Sequence, residues 1–248
     1  MSNKVSNKKT HKIIRNILIT VVAILLVMVI AMAIYLGNYY HAKDVDQYMT
    51  SGDYVTVTED DDAIYFDGPG TDTAIIFYPG AKVEAKSYAP VMYKLAENGT
   101  DCFILKVPFN IAMLAQNAPL DIMSTYDYEN WYIGGHSLGG YVATEFVYNN
   151  PSDVKGIILL ASFATSDLSD LDIDVISIYG DKDGVLSMES VEKGRELMPK
   201  SYTEVVIEGA NHCQMGSYGF QKGDNQTDMS NEKQIDTIVN IIDGALEK

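Results

Sequence analysis

The stretch Trp131-Tyr132-Ile133-Gly134-Gly135-His136-Ser137-Leu138-Gly139-Gly140 carries an apolar run into a Gly-x-Ser-x-Gly pattern, and helix-like periodicity follows from Leu138 to Tyr148. Strand, sharp turn and helix in that order lift a serine hydroxyl clear of a sheet edge, with the new helix's amide dipoles behind it. Such a serine attacks acyl carbonyls. It needs a base to take its proton, an acid to fix that base, and amide donors for the oxyanion that forms. A five-residue pattern of common residues also arises by chance in Gly-rich turns, so the rest of the chain must supply those partners.

Of the four histidines, His11 lies in a basic N-terminal segment and His41 in the polar stretch beyond it. His136 precedes the serine, where its ring is expected to point away from the serine oxygen. His212, in Glu208-Gly209-Ala210-Asn211-His212, directly follows a strand-like run and is the base by elimination and placement. Tyr179-Gly180-Asp181-Lys182-Asp183-Gly184 offers two acids. Asp181 would naturally close the turn, whereas Asp183 sits deep enough in it to point back at the sheet edge, so Asp183 is preferred. Asp167, Asp170, Asp172 and Asp174 read as a solvated acidic loop. For the oxyanion, the Leu138 amide opens the helix after the serine, and the turn Pro79-Gly80-Ala81 after an earlier strand offers the amide of Ala81.

The elements that must position these groups alternate. Strand-like runs cover residues 54–57, 63–66, 73–78, 102–107, 131–136, 155–160, 174–179 and 202–207. Helical periodicity covers 84–97, 138–148, 188–198 and 232–246, with one or two irregular helices within 109–130. Strands alternating with helices predict an α/β fold with a mostly parallel sheet covered by helices on both faces. Ligands in such sheets sit at the carboxyl ends of the strands, where every candidate catalytic residue falls. Only 13 residues separate Leu160 from Asp174, too few for a helical cap. The site is therefore expected to be open, sheltered by segments 108–130 and 213–230.

The N-terminus is different in kind. Residues 1–16 form a basic tail, and residues 17–36 are apolar except for Thr20. Twenty residues at 1.5 Å rise cross about 30 Å of hydrocarbon, which predicts one transmembrane helix. A cleaved signal peptide is the alternative, with Ala31-Met32-Ala33 as a small-residue cleavage site. The apolar run continues through Leu36, which favours an uncleaved signal anchor. Either way the positive flank stays in the cytoplasm and the C-terminal domain lies outside it, in a cell membrane or secreted. Residues 37–53 read as a juxtamembrane spacer with Tyr39 and Tyr40 at the interface, and residues 54–248 as the α/β domain.

Charge narrows the partners. Lys4, Lys8, Lys9, Lys12 and Arg15 are five of the 18 basic residues, leaving 13 against 34 acidic ones downstream. That acidic surface excludes nucleic acid as a partner. Cys102 and Cys213 are expected as free thiols, and no metal-ligand spacing is present. The acid run Glu59-Asp60-Asp61-Asp62 lacks the ligand alternation of a calcium loop and reads as a solvated turn.

Together, Tyr78-Pro79-Gly80, Gly135-His136-Ser137-Leu138-Gly139-Gly140, Ser177-Ile178-Tyr179-Gly180 with Asp183-Gly184-Val185, and Glu208-Gly209 with Asn211-His212 resemble the α/β-hydrolase superfamily, and within it a small lidless serine-hydrolase group. The resemblance covers residues from about 70 to 247. It implies an α/β-hydrolase fold without a cap domain and a triad of Ser137, Asp183 and His212, in that group's chain order. Lys82, Gln214 and Tyr218 also fall at positions resembling the group's pattern and are candidates for the substrate site. The expected activity is hydrolysis of carboxylic esters or related acyl substrates through an acyl-enzyme, with no cofactor and no metal. A cell-surface acyltransferase using the same triad, and a non-catalytic binding module on the same scaffold, are the rival readings.

Overall fold

The computed structural model describes residues 2–246. It forms two compact units, Met1–Tyr39 and Tyr40–Lys248. The first contains one helix, α1 (Ser2–Gly37), so helix extends back through the described part of the basic tail. Within it His11–Gly37 is long and apolar enough to cross a membrane, and its large side chains, Leu25 and Val29 among them, are exposed.

The second unit is a sheet with helices on both faces. In chain order its elements are β1 (Thr56–Glu59), β2 (Ala63–Asp67), β3 (Thr73–Tyr78), α2 (Ala89–Glu97), β4 (Asp101–Leu105), α3 (Ala118–Thr125), β5 (Asn130–His136), α4 (Leu138–Asn149), β6 (Gly156–Leu160), β7 (Asp174–Gly180), α5 (Met188–Arg195), β8 (Tyr202–Ile207) and α6 (Asn231–Leu246). The strand order is β1-β2-β4-β3-β5-β6-β7-β8. Strands β1 and β2 run antiparallel at one edge, and β4 through β8 are parallel.

Parallel strands covered on both faces bury every side chain, which is why they read as continuous apolar runs. Alternation still sorts them. Ile75 and Phe77 of β3 join Val91 and Leu95 of α2, Val191 of α5, and Ile235 and Ile238 of α6 in one core. Ala74, Ile76 and Tyr78 face the other way, into a core with Ile122 of α3 and Val142 and Phe146 of α4. The chain leaves β3 for β4 on one side and returns to β5 on the other. That reversal opens a crevice at the carboxyl ends of β3 and β5, the usual ligand position in such sheets.

Several boundaries differ from the sequence reading, for local reasons. Strand β1 lies two residues later than expected, because the turn is closed by Asp60, whose Oδ1 accepts from the amides of Asp62 at 2.8 Å and Ala63 at 2.9 Å. Glu59 thereby joins the strand and pairs with Lys86 at 3.0 Å and Lys106 at 3.1 Å. Helical periodicity from Glu84 resolves into a 3-10 turn, Ala85–Tyr88, ahead of α2, with Pro90 in the first helical turn. Segment 109–130 holds two 3-10 turns, Pro108–Asn110 and Ala112–Ala115, before α3. Both cysteines are free and buried, and burial raises the Cys213 thiol to about 11.

Candidate active site

Four loops converge at the carboxyl edge of the sheet. The first is the turn at Ser137, between β5 and α4. Its backbone stands at φ 52°, ψ −120°, a region costly for any residue with a Cβ. Surrounding bonds hold it there. The Ser137 amide donates to Leu160 O at 3.0 Å, and its carbonyl accepts from the Gly140 amide at 3.0 Å and from Ser162 Oγ at 2.7 Å. Glycine is required on both sides. A Cβ on Gly135 would lie 2.3 Å from the Gly139 carbonyl carbon, and one on Gly139 would lie 2.2 Å from Tyr78 O.

The second and third loops follow β7 and β8. His212 Nδ1 lies 2.8 Å from Asp183 Oδ2, and both side chains are almost fully buried. Asp183 Oδ1 accepts from the amides of Val185 at 2.8 Å and Leu186 at 2.7 Å, so neither carboxylate oxygen is idle. A carboxylate only accepts, so the Nδ1 of a neutral His212 carries the proton and Nε2 is a bare acceptor. That Nε2 is buried and has no hydrogen-bond partner among the described residues. Asp181 is exposed and tied elsewhere, its Oδ1 accepting from the Gly209 amide at 2.7 Å.

The fourth loop is the turn after β3. Among the described residues, neither the Ala81 amide nor the Leu138 amide donates a hydrogen bond within the protein. The Gly80 amide is spoken for, donating to Tyr88 Oη at 2.9 Å. Tyr88 Oη also lies within hydrogen-bond distance of His136 Nδ1, at 2.8 Å. His136 is buried with its ring centroid 4.5 Å from that of His212. Burial, and then the neighbouring His212, push its pKa well below the usual histidine range, so it stays neutral. The Ser137 turn, the Ala81 turn and His212 are thus packed around one neutral imidazole.

The remaining sequence candidates are placed as follows. Lys82 is half-buried at φ 58° in the Ala81 turn. Gln214 lines a cavity of about 250 Å³ with Lys43, Ser217 and Phe220, and its Oε1 is buried without a partner among the described residues. Tyr218 is fully buried, its ring 6.3 Å from that of His136 and its hydroxyl donating to Gln221 Oε1 at 3.1 Å. A groove of about 930 Å³ beside β1, β2 and β4, lined by Glu59, Lys86 and Lys106 among others, contains none of Ser137, Asp183 and His212.

Two residues absent from the sequence reading fasten these loops. Asp224 Oδ1 accepts from the Gly184 amide at 2.9 Å and Oδ2 from the Cys213 amide at 2.8 Å, so one carboxylate joins the Asp183 loop to the His212 loop. Gln234 of α6 is buried and brackets Asn211, donating from Nε2 to its carbonyl at 2.8 Å and accepting its amide at 3.1 Å. Burial works to raise the Asp224 pKa, but bonds from Gly184, Cys213 and Asn225 outweigh it and leave the group below its ordinary value of 3.8. Asp224→Asn presents an amide nitrogen either to the part-buried Gly184 N–H or to the buried Cys213 N–H and is expected to cost about 1–3 kcal/mol of stability at pH 7. A depressed carboxylate contributes stability that is complete above 3.8 and is lost as pH falls through its folded value. Denaturant unfolding should therefore show the gap between native and Asp224→Asn proteins closing below that pH.

A sequence profile described as "Alpha/beta hydrolase family" matches residues 74–236. Among solved structures, the chain is similar to Est1E from Butyrivibrio proteoclasticus, at 15% identity and TM-score 0.56, covering 79% of this chain and 100% of that one. It is similar to a predicted CIB-like hydrolase from Thermoplasma acidophilum, at 13% identity and TM-score 0.59, covering 77% and 99%. It is also similar to the carboxylesterase CesB (YbfK) from Bacillus subtilis, at 9% identity and TM-score 0.57, covering 82% and 95%. No match was found among curated proteins.

Proposed function

The chain belongs to the alpha/beta hydrolase family, and from that premise we propose that it is a membrane-anchored serine esterase working through Ser137, His212 and Asp183. The observation that carries this reading is the 2.8 Å pair of His212 Nδ1 and Asp183 Oδ2, which leaves His212 Nε2 buried and without a partner among the described residues. A bare, oriented imidazole nitrogen is the acceptor that a serine proton requires.

In this mechanism Ser137 Oγ attacks the substrate carbonyl as His212 Nε2 takes its proton, and the new C–O bond forms a tetrahedral oxyanion. The amides of Ala81 and Leu138 receive that oxyanion, each donor contributing about 3 kcal/mol to the transition state. Asp183 stabilises the imidazolium without taking its proton. His212 then protonates the leaving alcohol, the acyl group remains on Ser137, and water activated by the same nitrogen releases the acid. Residues 161–173, between β6 and β7, are short enough to leave the site without a cap, the mark of the small lidless group. The helix at residues 17–36 is read as the anchor, with the basic flank in the cytoplasm and the catalytic domain outside.

Full-length protein in detergent, mixed with p-nitrophenyl esters of two to sixteen acyl carbons, tests this. A burst of p-nitrophenol equal to the enzyme concentration, followed by slower turnover, is expected for at least one chain length. Absence of both burst and turnover across the series contradicts the esterase reading.

A further inference from the structure

Residues 40–43 are bonded to two of the four loops around the site. The Tyr40 amide donates to Lys82 O at 2.7 Å, and the Glu84 amide donates to Tyr40 O at 2.9 Å, a one-residue parallel bridge on either side of Val83. The Ala42 amide donates to Glu84 Oε2 at 3.0 Å, and the Lys43 amide to Ser217 O at 2.8 Å. The Tyr40 ring lies 5.6 Å from that of Tyr218, and its hydroxyl accepts from the Lys222 amide at 3.4 Å. Lys43 fills the space at Gly219, where an added Cβ would fall 2.5 Å from its Nζ.

The bridge reaches the oxyanion turn through one hydrogen bond. Val83, held on both sides by Tyr40, donates its amide to Gly80 O at 3.2 Å. That carbonyl belongs to the same peptide unit as the Ala81 N–H, and a trans peptide is planar, so fixing one end fixes the direction of the other. Lys82 stands between them in a left-handed conformation that a non-glycine residue adopts at a cost of about 1–2 kcal/mol. It is kept there by its own two polar groups. Its amide donates to Asn110 O at 2.7 Å, and its carbonyl accepts the Tyr40 amide.

We propose that Tyr40 is a positioning residue for the oxyanion hole, and that displacing the strap of residues 40–43 switches the enzyme down by releasing the Ala81 amide. This rests on the Ser137 reading above. Tyr40 touches no reacting atom and acts through Val83 and Gly80. The strap joins the catalytic domain to the apolar helix, so force on it or cleavage within it would reach the site through these bonds.

The test uses the full chain in detergent, with Tyr40→Pro to remove the donor to Lys82 and Ala42→Pro to remove the donor to Glu84. With a p-nitrophenyl ester, Tyr40→Pro is expected to lower kcat about 10- to 100-fold, the scale of a misplaced oxyanion donor, with KM within about 2-fold. Ala42→Pro should lower it less. Both should still incorporate a full equivalent of a fluorophosphonate at Ser137, more slowly than the native protein, which separates a misaimed donor from a collapsed site. Native kcat in both variants overturns the proposal, and so does a loss confined to KM. If Tyr40→Pro fails to fold, Ala42→Pro with native kcat overturns it alone. Native protein that neither turns over ester nor takes up the probe would bring down the Ser137 reading, and the strap's role with it.

Discussion

Asp183→Asn is expected to lower kcat about 10⁴-fold, and Asp181→Asn to leave it within about 3-fold, when both are measured on the same ester. The difference follows from what each carboxylate holds. Asp183 Oδ1 already accepts two amides, Val185 and Leu186, so an asparagine there must keep its oxygen toward them. Its NH₂ then faces His212 Nδ1, where the carboxylate Oδ2 stands at 2.8 Å. Donation from that NH₂ forces the imidazole proton onto Nε2, and the nitrogen that should take the serine proton no longer accepts one. Asp181 accepts a single amide, from Gly209, and asparagine supplies an equivalent oxygen. Stability of Asp183→Asn should fall only slightly, because packing is unchanged. The reverse order of the two activities would reassign the acid.

Ser137→Ala removes the proposed nucleophile and is expected to cost about 10⁶-fold in kcat, with His212→Ala costing about as much. The double variant should be no worse than either single one, since the two groups act as one unit. A small residual rate is expected, because the proposed Ala81 and Leu138 donors would still receive an oxyanion when water attacks directly. Additive losses in the double variant would mean that serine and histidine serve separate functions.

Much of this architecture is legible along the chain because it is written in side-chain pattern. Runs such as Thr73–Tyr78 are apolar throughout because parallel strands are covered twice, and the helices between them carry the complementary stripe. The structure sets Asp183 rather than Asp181 beside His212, and that choice was open to reasoning from depth in a turn. What the sequence hides is the fastening. Asp224 reaches Gly184 from 40 residues away, and Gln234 reaches Asn211 from 23. An aspartate in a polar loop and a glutamine on a helix look like solvated residues until the loops are folded onto them.

The strap is harder still to see. Tyr40 meets Lys222 across 182 residues, and its bonds to Lys82 and Glu84 are made by backbone groups that every residue type carries. Read from composition, residues 37–53 are a polar spacer. In the structure, Tyr40, Ala42 and Lys43 are hydrogen-bonded to the domain and Val45 is buried in it. The same holds for Tyr88, whose hydroxyl links the Gly80 amide to His136 by position alone.

The central claim is that Ser137 is a nucleophile activated by His212, and covalent trapping tests it most directly. Full-length protein incubated with a fluorophosphonate, digested and analysed by mass spectrometry should carry one equivalent of label, on the peptide containing Ser137, with none on Ser137→Ala and a strongly slowed rate on His212→Ala. No label, or a label that persists in Ser137→Ala, would contradict the account.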